Sequence, residues 1–308
     1  MSHPRRWMIG IILAGAVVLS LGIRRDRSAK EIEERRARPP SKFITVDGVR
    51  AHYRDRGKGS PIVLLHGSNA SLFAWEGWMD TLASEHRVVT MDLPGQGLTG
   101  PDPQHRYSDT EEVAWVDAFV KKLGLDRFTL GGNSMGGGIA WRYAVLHPDK
   151  VDRLILVDAY GLRRDEKLPF VFQLYEQPVL SHVVRWVTPR FMVKSAVAAT
   201  YGDPRHVTDE TVDLYEDMLL REGNRDATRR RFALEDEDTL EERLSEIKVP
   251  TLILWGGRDE WILPKYAETF HSKIPQSRLV MFDGLGHVPM EEDPAATVAA
   301  VQDFLHMH

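Results

Sequence analysis

The sequence predicts an α/β protein whose mostly parallel central sheet carries helices on both faces. Three observations lead there. From residue 43 onward, short apolar runs of strand length alternate with stretches of helical pattern. Runs such as 62–65 and 154–157 are apolar throughout, as strands buried on both faces are. The 308 residues, 43% of them apolar, suffice for one large core.

The elements follow in order. Residues 43–46 and 49–53 flank Asp47-Gly48, a hairpin signal, because a two-residue turn needs positive φ. Residues 62–65 form a short apolar strand, 72–84 a helical stretch and 87–91 another strand. Ser108-Asp109-Thr110-Glu111 is a capping box that opens a helix to about Leu123. Strands at 127–130, 154–157, 251–255 and 278–282, with helices at 135–146, 263–274 and 295–305, complete the alternation. Strands joined through helices pair in parallel.

Residues 159–248 break the rhythm. They carry helical patterns and no clear strand, over a length that an ordinary loop does not reach. They read as a helical cap inserted into a core of residues 41–158 and 249–308. The first half of this cap is rich in large apolar side chains such as Phe170, Phe172, Trp186 and Phe191; the second half is mostly charged.

Residues 1–27 read as an N-terminal membrane anchor. Residues 7–23 are uncharged and apolar, with Arg5 and Arg6 before them and Arg24, Arg25 and Arg27 after. As a helix the run reaches about 25 Å, slightly short of the hydrocarbon core, and arginines can snorkel. A cleaved signal peptide is the alternative, with Ser20 and Gly22 at the cleavage positions. The short basic start favours a body facing the cell envelope; the larger number of Arg and Lys after the segment favours the reverse. Residues 28–40 read as a charged linker with i,i+4 pairs such as Glu31–Arg35, ended by Pro39-Pro40.

Composition excludes some classes. Net charge is −5 and no basic stripe stands out in the body, so nucleic acid is not an expected partner. There is no cysteine, which removes disulfides and thiolate catalysis and names no compartment. No metal or cofactor is expected: ligand spacings such as H-E-x-x-H are missing, and His306 and His308 form a lone terminal pair.

The chemistry-bearing residues stand at strand ends. Gly132-Asn133-Ser134-Met135-Gly136 follows the strand at 127–130 and opens a helix, the context that G-x-S-x-G needs to expose a serine nucleophile. A serine hydroxyl is weak without a base. His287, in Gly284-Leu285-Gly286-His287, follows the last strand and is the candidate. The imidazole needs a carboxylate to fix its tautomer. Asp259, in Gly256-Gly257-Arg258-Asp259, is preferred; Asp158, after the strand at 154–157, is its competitor. Asp92 is expected to pin the Pro94–Gly97 loop. The oxyanion formed in acyl transfer needs two backbone donors. Met135 N–H is one; Ser68 supplies the other, with Asn69 as second choice. His66 is expected to hold that loop.

Together these motifs resemble the α/β-hydrolase superfamily, in its capped, serine-nucleophile, esterase- or lipase-like form. The likeness runs from about Phe43 to the end of the chain. It rests on His66-Gly67, on Asp92-Leu93-Pro94-Gly95-Gln96-Gly97, on the Ser134 turn, on Gly257-Arg258-Asp259 and on Gly286-His287. The family often has histidine where Gln96 stands. Serine at 134 argues against the aspartate-nucleophile relatives, haloalkane dehalogenases and epoxide hydrolases. The resemblance implies a cofactor-free hydrolase, read as acting on small-molecule carboxylic esters through an acyl-enzyme, and is not specific for a substrate; the apolar first half of the cap and the anchor favour apolar, medium- or long-chain or lipid-like esters. The alternatives are the same triad applied to C–C bonds, acyl transfer or perhydrolysis, or a ligand-binding protein without turnover. Neither substrate nor oligomeric state is specified by the sequence.

Overall fold

In the computed structural model, residues 24–166, 173, 177, 181, 186–234 and 240–307 are described. Eight strands form one sheet: β1 (Lys42–Val46), β2 (Val49–Arg56), β3 (Pro61–Leu65), β4 (Arg87–Met91), β5 (Phe128–Asn133), β6 (Val151–Val157), β7 (Thr251–Gly256) and β8 (Ser277–Phe282). Their order is β1-β2-β4-β3-β5-β6-β7-β8. At one edge β1 pairs antiparallel with β2, turning at Asp47-Gly48 with φ of 46° and 84°, β2 pairs antiparallel with β4, and the remaining pairings are parallel.

Period-two side-chain alternation divides the core. Val63 and Leu65 of β3, Leu154 and Leu156 of β6, and Ile253 and Trp255 of β7 share one cluster. It is closed by helices α3 (Asp109–Lys122), α4 (Met135–Leu146) and α8 (Lys265–Lys273). Ile62, Leu64, Ile155, Val157, Leu252 and Leu254 face the other way. There α2 (Glu76–Leu82), α9 (Pro289–Glu292) and α10 (Pro294–Met307) cover them, with Trp78 and Phe304 fully buried. The capping box at α3 is formed in both directions: Ser108 Oγ accepts the Glu111 N–H, and Glu111 Oε2 accepts the Ser108 N–H at 3.0 Å.

Several boundaries differ from those the pattern predicts. Strand β5 runs on to Asn133 because Gly131 and Gly132 still pair with Ile155 and Leu156, although glycine carries no strand propensity. The stretch at 72–84 splits into a 3₁₀ turn, Leu72–Trp75, and α2.

Between β6 and β7 the described residues hold α5 (Arg190–Ala198), α6 (Asp209–Leu220), α7 (Asn224–Phe232) and two 3₁₀ turns. Val193, Val197 and Val212 join the core cluster under this insertion. Most of the apolar stretch at 170–185 lies outside the described residues.

Residues 28–40 are not the solvated linker that their composition suggests. Helix α1 (Ala29–Arg36) buries Ile32 against Leu98 and Met218. Arg27, Arg35 and Arg36 converge on the buried Asp217 of α6. A single apolar side chain among charges gives no helical stripe to read, so the docked face is invisible in the pattern. Among the described residues no helix is long and apolar enough to cross a membrane. The expected anchor at 7–23 lies outside the described residues.

Candidate active site

Register brings the candidate residues to one edge. Leu65 pairs with Gly132, Asn133 with Val157, Val157 with Leu254 and Gly256 with Phe282. The loops after β3, β5, β6, β7 and β8 therefore emerge side by side at the carboxyl ends of the parallel strands, where open α/β sheets bind ligands.

The chain turns sharply at Ser134, with φ 52° and ψ −119°. A non-glycine residue adopts such a conformation at a strain of about 1–3 kcal/mol, and surroundings must hold it there. A Cβ on Gly132 would lie 2.2 Å from the Gly136 carbonyl oxygen, and one on Gly136 2.3 Å from that of Leu65. Neither contact is tolerable, so both positions need glycine. Helix α4 begins at Met135, leaving its unpaired N–H groups beside Ser134. Ser134 itself is partly exposed, between buried Asn133 and Met135.

Asp259 is fixed by its own turn. Its Oδ1 accepts the N–H groups of Trp261 at 2.7 Å and Ile262 at 3.0 Å. Its Oδ2 lies 2.7 Å from His287 Nδ1. The imidazole donates from Nδ1 to this carboxylate, which leaves Nε2 as the acceptor nitrogen. Both side chains are buried. His287 is held by its backbone as well: its N–H donates to the Thr200 carbonyl at 2.7 Å, and its carbonyl accepts from Asn133 Nδ2 at 2.9 Å. Trp261 stacks on the ring with centroids 5.4 Å apart. Glu292 accepts the N–H groups of Gly286, Gly202 and Asp203 at 2.8–2.9 Å, which ties the histidine loop to the insertion.

Asn133, Trp261 and Glu292 are thus parts of the site that the pattern misses. Asn133 occupies a free position in G-x-S-x-G. Glu292 acts across ninety residues of sequence, and nothing local marks it.

The two oxyanion candidates differ. The Asn69 N–H already donates to Gln96 Oε1 at 2.6 Å, and its side chain accepts from Thr228 of α7 at 2.8 Å. Ser68 lies against the helix start, its Oγ donating to Met135 Sδ at 3.3 Å.

His66 and Asp92 sit beneath this loop. His66 is buried; its Nε2 accepts the Leu93 N–H at 3.0 Å, so its Nδ1 carries the proton and donates to Gly67 O at 2.8 Å. Burial holds this imidazole below its ordinary pKa, and it stays neutral. Asp92 accepts the N–H groups of Leu72 and Leu98 at 2.7 Å and faces His52 Nδ1 at 2.7 Å. Burial alone would raise its carboxyl, but the charge and hydrogen bond of His52 outweigh that and lower it.

Asp158 is fully buried beside Asp259. Its Oδ1 accepts the Gly256 N–H at 2.9 Å. Asp158, Asp259 and His287 each bring one ligand-type atom within 4.8 Å of the others, close enough to hold a cation. Most of their oxygens and His287 Nδ1 are already committed to hydrogen bonds, which is the organisation of a proton network. His306 bonds to Glu85 at 3.0 Å, and His308 lies outside the described residues.

Comparison with known proteins agrees with this architecture. A family model described as the alpha/beta hydrolase fold matches residues 60–294. The chain is 29% identical over 276 residues to a 2-hydroxy-6-oxo-2,4-heptadienoate hydrolase of Pseudomonas putida, covering 86% of this chain and 95% of that protein. Its fold superposes on the crystal structure of a membrane phospholipase A with a TM-score of 0.75 and 26% identity, covering 98% of each chain. An esterase from Thermogutta terrifontis gives a TM-score of 0.74 at 25% identity, covering 87% of this chain and 98% of the other. The family model spans most of this chain, which therefore belongs to the alpha/beta hydrolase fold family.

Proposed function

We propose that this hydrolase cleaves apolar carboxylic esters through an acyl-enzyme formed on Ser134. The observation that carries the reading is the buried Asp259–His287 hydrogen bond beside a serine held at a strained turn. His287 Nε2 takes the hydroxyl proton as Ser134 Oγ bonds to the ester carbonyl carbon. Asp259 keeps the imidazole in the right tautomer and stabilises its charged form. The N–H groups of Met135 and Ser68 receive the oxyanion, since the Asn69 N–H is engaged by Gln96. The C–O bond then breaks, and the alcohol leaves with the proton from His287. A water molecule gives a proton to His287 and its oxygen to the acyl carbon, releasing the acid and restoring the serine.

The apolar preference is supported by Trp261 over the imidazole and by buried Met135, Val288 and Ile262 nearby in sequence. The likeness to a phospholipase A and to an esterase supports it too. A second reading, hydrolysis of a C–C bond beside a ketone by the same residues, is favoured by the dienoate hydrolase relative. Residues 7–23 add membrane attachment to the proposal.

The test is a panel of p-nitrophenyl esters from acetate to laurate beside 2-hydroxy-6-oxo-2,4-heptadienoate, with Ser134→Ala as control. Ester turnover that rises with chain length and is lost by about 10³–10⁶ in the variant is expected. Turnover of the dienoate alone would replace the ester reading by the second. Unchanged activity in Ser134→Ala would end both. Fractionation of cells should place the full chain in membranes, and deletion of residues 1–23 should release it.

A further inference from the structure

One buried acid has no part in the steps above. Asp158 follows the last residue of β6, between β5 and β7 in the sheet. Its backbone is left-handed, with φ 44°, and its N–H donates to the Leu254 carbonyl at 3.0 Å. Oδ1 is anchored by the Gly256 N–H at 2.9 Å. Oδ2 is buried and receives no hydrogen bond from any described donor. The Asp158 carboxyl lies within a 4.8 Å cluster with another acceptor, the carboxyl group of Asp259, and with His287.

Two ionised carboxylates this close in a dry site repel strongly. One proton held between them converts the repulsion into an O–H···O⁻ bond, among the stronger hydrogen bonds proteins form. We propose that Asp158 is a neutral carboxylic acid whose Oδ2–H donates to Asp259, making it a positioning residue that aims Asp259 at His287. Its site requires a donor, where the Asp259 site requires an acceptor.

Burial, then the charge of Asp259, pushes the Asp158 carboxyl well above the usual carboxylate range, in the direction this arrangement needs. Asp259 and His287 are the titratable side chains set against it. The proposal rests on reading Ser134, His287 and Asp259 as the reacting triad. It adds a fourth group that touches none of the reacting atoms.

The test compares Asp158→Asn with Asp158→Gly in the full chain. Asparagine keeps an acceptor for the Gly256 N–H, offers an N–H to Asp259, and tolerates positive φ. Glycine keeps the backbone and removes the donor. Asp158→Asn should keep kcat/KM within about threefold of the parent, with the acidic limb of its pH profile unmoved, because no charge has been removed. Asp158→Gly should lose about tenfold to a hundredfold, in kcat rather than KM, because the lost bond acts on Asp259 and not on substrate.

Three outcomes would overturn the idea. The acidic limb of Asp158→Asn could move to lower pH by about a unit, which is what removing an ionised carboxylate beside the base would do. Asp158→Gly could retain full kcat. Activity could be lost to EDTA and restored by Zn²⁺, making the cluster a cation site. If Asp158→Gly does not fold, the Asp158→Asn profile still decides. Fluorophosphonate labelling of the parent, lost in Ser134→Ala, separates failure of the triad reading from failure of this one.

Discussion

Ser134 is partly exposed on a backbone that only its neighbours make possible, and those neighbours also hold the candidate base. Asn133 spans the two: its Nδ2 donates to the Val157 carbonyl at 3.2 Å and to the His287 carbonyl at 2.9 Å. Asn133→Ala leaves the buried His287 carbonyl without its described donor, at a cost of about 1–3 kcal/mol, while the Val157 carbonyl keeps the Ser134 N–H. The variant should therefore melt lower and also lose kcat, since the His287 loop is released. Calorimetry and ester kinetics on the same sample check this; a stability loss with kcat intact would show that Asn133 only braces the turn. Asp259→Asn is a cleaner change. It keeps the shape but offers an N–H where His287 Nδ1 needs an acceptor, and kcat should fall by about 10⁴. The motif, its strand–turn–helix setting and the order serine, acid, histidine made Ser134, Asp259 and His287 the candidates, and the structure sets His287 against Asp259 and Ser134 at a sharp turn. The neutral partner beside Asp259 was not readable from sequence, because protonation depends on burial and on a neighbour a hundred residues away.

At the level of elements, burial joins the body to the insertion through charge. Glu112 on α3 is ion-paired with Arg231 of α7, and Arg231 also donates to the Pro94 carbonyl at 3.1 Å. Burial dominates this pair and raises the Glu112 carboxyl to about 7, from an ordinary 4.5. The folded state thus holds the proton more tightly than the unfolded chain does. Its contribution to stability is full below pH 4.5 and is lost as pH rises through about 7, by about 3 kcal/mol in all. Glu112→Gln removes that titration while keeping an acceptor for Arg231. Denaturant unfolding at pH 5 and pH 8 should show a smaller difference in the variant than in the parent. Glu291 is raised into the same range, so the parent keeps part of its slope, and the difference between the two proteins is the readout. An identical pH dependence in both would mean that Glu112 is ionised throughout. The capping box at α3 was legible because both its residues are local. The Glu112–Arg231 link was not, since Glu112 lies among ordinary helix-forming residues and its partner is 119 positions away.

Across the whole molecule, the chain before β1 braces the chain after β6. Arg24 N–H donates to the Trp186 carbonyl at 3.0 Å, Asp26 pairs with Arg225 at 2.6 Å, and the Arg27 N–H and carbonyl bond to Leu220 and Glu222. Beyond these, Arg35 and Arg36 reach Asp217 at 2.8 Å each, together with Arg27. Ile32 is completely buried at the centre of the contact. The insertion in turn reaches the site, through Thr228 on Asn69 and Thr200 on His287. A weakened α1 should therefore be felt at the candidate site, through the insertion. Ile32→Ala removes a buried side chain at about 2–5 kcal/mol. Asp217→Asn leaves three guanidinium groups around a neutral partner, which is destabilising because they remain crowded together. Each variant should lower Tm by several degrees, at about 2–4 °C per kcal/mol for a protein of this size. The two share one interface, so their effects should not add. Because no residue of the proposed triad is touched, KM for a long-chain ester should rise more than kcat falls, and Ser134 should still label with a fluorophosphonate. Equal loss of kcat in both variants, with KM unchanged, would show that the brace sets the proposed triad itself rather than the insertion packed against it.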